Sequence, residues 1–264
     1  MQQEEIRRAA ELIGAARIDG GRLRPLPEDI RPGTEADAYE VQQEVHDILA
    51  AIKMGPTVGY KIGCTTPVMQ EYLGIRNPCA GGLFQPSVHY QEAMLRHSDY
   101  QHPGVEAEVG VFLGNDIPAR EGGHDRDSVA DAVQAVFTAI EVVDDRWDDY
   151  TVIDTPSLIA DDFFAAGCVL GEPVAAWRDL DLGGLAGKMR INGKPVGSGS
   201  SGDILGHPFE ALAWLANLVE GRGDSLKQGQ TVMLGSVVQT NWVEQMDKVQ
   251  VEIEGLGMVR AWFG

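Results

Sequence analysis

The segment Gly104-Val-Glu-Ala-Glu-Val-Gly-Val-Phe112 carries two glutamates one residue apart. Its alternating, β-branched texture predicts a strand, and on a strand residues i and i+2 share a face. Glu106 and Glu108 would then project side by side from an otherwise apolar element. Adjacent carboxylates oppose each other's ionisation unless a positive charge lies between them. Oxygen ligands suit a hard divalent cation such as Mg²⁺, Mn²⁺ or Ca²⁺. A strand whose glutamates simply face water satisfies the same spacing.

Two further residues break apolar runs. Glu141 is a lone carboxylate in Ala139-Ile-Glu-Val-Val-Asp144, and an acid among core residues needs a partner. Placed beside Glu106 and Glu108, it would complete a three-carboxylate site with open coordination positions. Lys61, in Gly59-Tyr-Lys-Ile-Gly-Cys64, sits between apolar neighbours on a second expected strand. It either snorkels to the surface or is a buried ammonium able to bind an anion or move a proton.

The elements that must position these groups follow from periodicity. Apolar residues at helical spacing predict a helix from about Gln3 to Arg17, ended by Asp19-Gly20-Gly21, and a second from about Glu35 to Met54, stopped by Gly55-Pro56. Beyond Val58 the texture becomes β-rich. Strands are expected at Val58–Ile62, Glu106–Leu113, Phe137–Val143, Ala165–Leu170, Thr231–Leu234 and Val249–Ile253. Short helices are expected at Pro67–Leu73, at Asp127–Val136 with Asp127 as N-cap, and at Pro208–Val219. Asn192-Gly193 predicts a type I′ hairpin within Lys188–Val196. The stretch Gly197-Ser-Gly-Ser-Ser-Gly202 fits a dinucleotide-binding pattern but follows a hairpin instead of opening a helix, so it reads as a flexible or carboxylate-contacting loop. Many short strands and few helices give an α+β domain. The division is a small helical N-terminal region (residues 1–57) and a β-rich catalytic domain (residues 58–264) within one structural unit.

Composition narrows the function classes. A formal net charge of −19 argues against nucleic acid or an anionic membrane surface as a partner. No apolar run is long enough to span a bilayer, and the first residues lack a signal-peptide pattern, so a cytoplasmic protein is expected. The three cysteines, Cys64, Cys79 and Cys168, are widely spaced and suit reduced thiols.

Taken in order, Gly59-Tyr-Lys-Ile-Gly, Gly104-Val-Glu-Ala-Glu-Val, Ala139-Ile-Glu-Val-Val-Asp and Leu205-Gly-His-Pro followed by Ala213-Trp-Leu-Ala-Asn217 resemble the fumarylacetoacetate hydrolase superfamily. The likeness is to its branch of 2-hydroxypenta-2,4-dienoate (2-keto-4-pentenoate) hydratases and 4-oxalocrotonate decarboxylases, and it covers nearly the whole chain. The resemblance implies a mixed β-sandwich or roll of the family's C-terminal type, with a small helical N-terminal region, and a homo-oligomer. It implies that Glu106, Glu108 and Glu141 hold Mg²⁺ or Mn²⁺, that Lys61 is an active-site lysine, and that the substrate is a small 2-oxo acid or its dienol. Phe163, Phe164 and Ser236 fall at substrate-binding positions. The implied reaction is hydration through an enolate. Decarboxylation, C–C hydrolysis of the acylpyruvase kind, and 2-oxo-acid binding without catalysis are the alternatives.

Two departures mark this chain. Asn77-Pro-Cys-Ala-Gly81 puts Cys79 at the catalytic position where the family commonly has an aspartate, and a thiol is a far weaker acid. Ala160-Asp-Asp-Phe-Phe-Ala-Ala166 puts Phe163 and Phe164 where the family often has small polar residues, which implies a more apolar pocket or a different substrate. Hydrolytic members need a water-activating base, often with a histidine. Only His102 lies near the Glu-x-Glu strand.

Overall fold

A computed structural model describes every residue except 67, 68, 72 and 73 and the side chain of Lys53. The short helix expected over Pro67–Leu73 falls outside that description. Two N-terminal helices, α1 (Gln3–Asp19) and α2 (Glu35–Leu49), precede a β-rich body. Its strands are β1 (Thr57–Gly63), β2 (Cys79–Phe84), β3 (Val88–Tyr90), β4 (Glu92–Leu95), β5 (Pro103–Leu113), β6 (Val133–Asp144), β7 (Ala165–Leu170), β8 (Ala186–Ile191), β9 (Lys194–Ser200), β10 (Thr231–Trp242), β11 (Lys248–Ile253) and β12 (Gly257–Phe263).

They form a seven-stranded sheet in the order β2-β1-β10-β5-β6-β7-β3 and a five-stranded sheet in the order β4-β12-β11-β8-β9. Both are mixed: β1–β10, β3–β7 and β4–β12 pair in parallel and the remaining pairs are antiparallel. This is the α+β, two-sheet architecture that the strand-rich sequence predicts.

The sheets stack through one face of the larger one. Thr138 on β6 donates to the Gly257 carbonyl at the start of β12. Gly187 on β8 lies so close to Val237 on β10 that a Cβ there would come within 2.5 Å of a Val237 methyl. Alternation then turns the intervening residues, Ala139 and Glu141 on β6 and Ser236 on β10, to the opposite face. That second face carries a small apolar floor including Phe137, Ala139, Cys168 and Met233, all fully buried. The larger core runs continuously from Ile6 and Ile13 on α1 and Val41 and Val45 on α2 to Phe263 on β12.

Local signals explain most element ends. Gly20 closes α1 in the left-handed region, and Thr34 caps α2 by accepting from Asp37 N–H. The second helix stops being α-helical at Leu49, and Ala50–Met54 forms a wider π-type turn before Gly55. Asn192 and Gly193 both have positive φ, 52° and 78°, as a type I′ turn requires.

Two expectations are corrected. The helix expected over Asp127–Val136 is only Arg126–Ala130, and Asp125, not Asp127, caps it. Val133 already belongs to β6, because β-branched residues paired along β5 gain more there than helix propensity offers. The Gly197–Gly202 stretch is not a flexible loop. Gly197 and Gly199 pair on β9 against Met189 and Gly187 of β8. Their lack of side chains lets β9 approach β10, since a Cβ at Gly199 would sit 2.0 Å from the Val237 carbonyl oxygen.

Candidate metal centre

Four adjacent strands of the larger sheet, β1, β10, β5 and β6, contribute the polar groups on its second face. Glu106 lies directly opposite Glu141 in the antiparallel β5–β6 register, and Glu108 lies opposite Ser236 across β5–β10. Carboxylate oxygens of Glu106, Glu108 and Glu141 all come within 4.8 Å of one another. Glu108 and Glu141 are buried, 0% and 1% exposed, whereas Glu106 is half-buried and marks the open side. The alternative of a water-facing strand is excluded for Glu108.

Lys61 reaches this cluster from β1 and is 3% exposed. Its Nζ lies 3.0 Å from Glu141 Oε1 and donates to the Phe163 carbonyl at 2.8 Å. The contact with Glu141 is an ion pair without hydrogen-bond alignment, and Glu141 Oε1 has no hydrogen-bond donor among the described residues. Burial alone would lower the lysine's pKa, but Glu141, Glu106 and Glu108 outweigh it and hold the group above its usual 10.5. Burial and the neighbouring Glu141 and Glu106 push Glu108 well above the ordinary carboxylate range. Glu141 is also raised by burial, with Lys61 opposing.

These observations test the fit to a cation. With all three carboxylates ionised, one ammonium would leave an excess of two negative charges in a buried site, which is why Glu108 and Glu141 hold their protons more tightly than free carboxylates. Glu141 Oε1 accepts no hydrogen bond among the described residues and has only the Lys61 ion pair to offset its burial. A divalent ion with oxygen preference supplies the missing charge and partner, so the donor set suits Mg²⁺, Mn²⁺ or Ca²⁺.

Backbone irregularities aim the supporting groups. The β10–β5 register shifts between Met233 and Ser236, between Ser236 and Val238, and between Val238 and Asn241. Such bulges re-aim side chains. Here Ser236 and Thr240 both donate to Glu106, and Ser236 also lies 3.4 Å from Glu108 Oε1. The Gly235 N–H, from a residue with φ of 128°, donates to Glu108 at 3.1 Å. Sequence inspection misses Thr240, since nothing local signals a bulge.

The remaining expected site residues fall as follows. Cys79 lies on β2 opposite Gly63, on the same face as Lys61, and is fully buried. A hydrogen bond with Cys64, then burial, pushes its thiol far up, so it is neutral at physiological pH. Phe163 presents its carbonyl to Lys61 and its ring 5.7 Å from Nζ. Phe164 packs edge-on against Phe163 with centroids 5.5 Å apart, one residue further from the lysine. His102 stacks on Trp242, and among the described residues no histidine pairs with the cluster.

The turn that carries both phenylalanines is strained. Asp162, Phe163 and Phe164 have φ of 56°, 48° and 67°, and left-handed non-glycine residues persist only where the surroundings enforce them. Buried charges provide that enforcement. Asp162, 0% exposed, pairs with Arg17 of α1 at 2.6 Å and His46 of α2 at 2.7 Å, and accepts from Gly82 N–H. Asp161 pairs with Arg146, which also donates to the Ala165 carbonyl. The acidic pair Asp161-Asp162 in an apolar context was the available sequence signal for this clamp.

Burial would raise the pKa of Asp162, but His46 and Arg17 outweigh it and hold the carboxyl well below 3.8. A depressed carboxylate stabilises the fold fully above its unfolded value, and that contribution fades as pH falls below 3.8 toward the folded value. Asp162→Asn is therefore expected to cost about 3 kcal/mol at pH 7 by urea unfolding. The difference from wild type should narrow below pH 4. A difference that stays constant down to pH 3 would contradict the clamp.

Comparison with known proteins follows the same line. Residues 84–263 match the family model described as fumarylacetoacetate (FAA) hydrolase C-terminal. A 2-keto-4-pentenoate hydratase of Paraburkholderia phymatum is 33% identical over 246 residues, covering 91% of this chain and 90% of the relative. A 4-oxalocrotonate decarboxylase of Pseudomonas putida is 30% identical over 263 residues, covering 100% and 98%. Among solved structures, 4-oxalocrotonate decarboxylase from Pseudomonas putida G7, complexed with magnesium and adipate, superposes with a TM-score of 0.93 at 29% identity, covering 100% of this chain and 99% of that one.

Proposed function

The chain belongs to the fumarylacetoacetate hydrolase family, and from that premise we propose that it is a divalent-metal-dependent lyase acting on a small 2-oxo acid or its dienol, with 2-hydroxypenta-2,4-dienoate (2-keto-4-pentenoate) hydration as the principal reaction. The observation that carries this reading is the buried Glu106–Glu108–Glu141 cluster with the Lys61 ammonium against it. Both relatives named above are lyases by their reactions, hydration and decarboxylation.

Glu106, Glu108 and Glu141 would hold Mg²⁺ or Mn²⁺. When bound, such an ion supplies Lewis-acid stabilisation for negative charge developing on a substrate oxygen. The protein's own groups then do the rest. Ser236 and Thr240 orient Glu106, and the Gly235 N–H orients Glu108. Ser236, half-buried and hydrogen-bonded to Glu106, would meet a substrate oxygen as well.

Lys61 has three N–H donors. The Phe163 carbonyl takes one and the Glu141 carboxylate attracts a second, so one proton remains for the substrate. The lysine is the proton donor and orienting cation of this scheme. Cys79 is not a base in it. A neutral, fully buried thiol does not activate water, so its contribution is the wall behind Lys61. Phe163 and Phe164 give that side an apolar lining.

Decarboxylation develops charge on the same substrate oxygen, and a full-length relative with that activity makes it the second reading. Hydrolysis is less well supported because no described histidine pairs with the cluster. Among the described residues no helix is long and apolar enough to cross a membrane. Cytoplasmic placement, self-association, and a helical N-terminal region (residues 1–57) ahead of a catalytic domain (residues 58–264) belong to the proposal.

Product identification by mass, with Mg²⁺ or Mn²⁺ and then with chelator, tests the reading on 2-hydroxydienoates and 2-oxo-dicarboxylates. Gain of one water with no second fragment is the expected product, lost on chelation and regained on adding metal back. Loss of CO₂ would favour the second reading, and two organic fragments would establish hydrolysis.

A further inference from the structure

Cys64 and Cys79 form a thiol pair that the proposed reaction leaves without a task. β2 begins at Cys79, directly opposite Gly63, the last residue of β1, and Cys64 is the next residue along. The two side chains are hydrogen-bonded thiol to thiol. Cys79 is fully buried and Cys64 is half-buried, so a small oxidant reaches Cys64 first. The third cysteine, Cys168, is fully buried in the apolar floor.

The pair adjoins the groups that shape the metal centre. A Cβ at Gly63 would lie 3.5 Å from Lys61 Nζ and 3.7 Å from the Phe163 ring, so the residue before Cys64 packs directly against the ammonium. The residue after it, Thr65, is 3% exposed and packs on Gly235, where a Cβ would meet Thr65 Oγ1 at 2.6 Å. The Gly235 N–H is the one that donates to Glu108. Cys64 itself is left-handed, with φ of 59°, a conformation that a non-glycine residue keeps only where its contacts enforce it. Drawing its sulfur from hydrogen-bond contact into a covalent bond moves this residue relative to β2. Gly63 carries that movement to Lys61, and Thr65 carries it to the Gly235 N–H.

We propose that Cys64 and Cys79 are a reversible disulfide site for hydroperoxides, and that closing it disables the metal centre by displacing Lys61. With hydrogen peroxide, one oxygen passes to the Cys64 sulfur, giving a sulfenic acid and one water. The Cys79 sulfur then attacks the Cys64 sulfur. The S–S bond forms, the S–O bond breaks, and the hydroxyl leaves with the Cys79 proton as a second water. The two thiols give up two electrons, and the peroxide O–O bond takes them. The site is built by the chain itself, whereas its effect on turnover rests on the lyase reading.

The test treats the wild-type protein with hydrogen peroxide in the presence of Mg²⁺. The intact mass is expected to fall by about 2 Da as two hydrogens leave. Peptide mapping should join residue 64 to residue 79 and leave Cys168 as a free thiol. The kcat on 2-hydroxypenta-2,4-dienoate should fall about tenfold or more, and dithiothreitol should restore it. That recovery separates the disulfide from methionine oxidation, which needs a dedicated reductase to reverse. Cys64→Ser should keep the reduced wild-type turnover and become insensitive to peroxide. Cys79→Ser should stop at the Cys64 sulfenic acid, which dimedone traps.

Peroxide-treated wild type with no peptide joining residues 64 and 79 would overturn the proposal. So would a complete disulfide with unchanged kcat, or a Cys64→Ser protein that loses reversible turnover to peroxide as the wild type does. Absence of turnover in the reduced protein would overturn the lyase reading, and with it the control of activity, while mass and peptide mapping would still decide the disulfide.

Discussion

Alanine at Glu141 is expected to abolish divalent-metal binding and to lower kcat/KM by about 10³-fold or more. The residue is 1% exposed and supplies one of three oxygens that share a space less than 5 Å across. Its loss removes a ligand that water cannot replace with equal charge. It also strips the Lys61 ammonium, 3% exposed, of its closest anionic partner. Breaking a buried pair from one side costs about 3–5 kcal/mol, so a fall in stability should accompany the loss of activity. Glu141→Gln separates the two effects, since it keeps the volume and one oxygen but not the charge. Calorimetric titration with Mg²⁺ is the direct measurement. Undiminished affinity in both variants would remove Glu141 from the ligand set.

Methionine at Lys61 should have the opposite signature, with metal binding retained and turnover lost. The side chain keeps its apolar stem among the floor residues but cannot donate. Loss of a positioned proton donor lowers kcat by about 10²–10⁴-fold. The metal-free variant should also be less stable, because Glu108 and Glu141 stay buried without the one cation paired to the cluster among the described residues. Added Mg²⁺ should then raise its Tm by more than it raises that of the wild type, because metal becomes the only counter-charge. A Lys61→Met protein with full kcat would end the assignment of a proton to this nitrogen. A Tm shift no larger than wild type would show that the ammonium and the metal do not share the same carboxylates.

The two variants divide the labour of the site. Glu141 is tied to both the cation position and the lysine, so its removal affects everything. In the proposed scheme Lys61 answers for a proton and for charge balance. Asp162 acts further back, holding the left-handed turn whose Phe163 carbonyl receives Lys61 and whose rings give that side its apolar lining. Damage there should reach the site through geometry.

Much of this was readable from residues alone. The alternation around Glu106 and Glu108 predicts one shared face because the strand repeat is a local property. The isolation of Glu141 in an apolar run signals burial with a partner, because an unpaired charge in a core is too costly to persist, whereas the apolar neighbours of Lys61 fit snorkelling and burial alike. Helix ends at Gly20 and Thr34 and the Asn192-Gly193 turn follow from backbone preferences a few residues long. Local preference also misled at Val133–Val136, where pairing with β5 overrode a helical pattern. It misled again at Gly197–Gly202, where absent side chains serve close strand packing and not mobility.

What the chain alone determined, then, is which side chains are chemically conspicuous and which of them share a strand face. Only the tertiary structure decided that β1, β10, β5 and β6 are neighbours, which brings Lys61, Ser236, Glu106, Glu108 and Glu141 together from distant regions of the sequence. It also decided the bulges that turn Ser236 and Thr240 toward Glu106, and the ion pairs from α1 and α2 that hold Asp162 and its two phenylalanines in place. Strand order, bulge position and buried pairing depend on contacts between residues far apart in the chain. No short window of sequence carries those contacts, because their free energy appears only when the sheet closes around them.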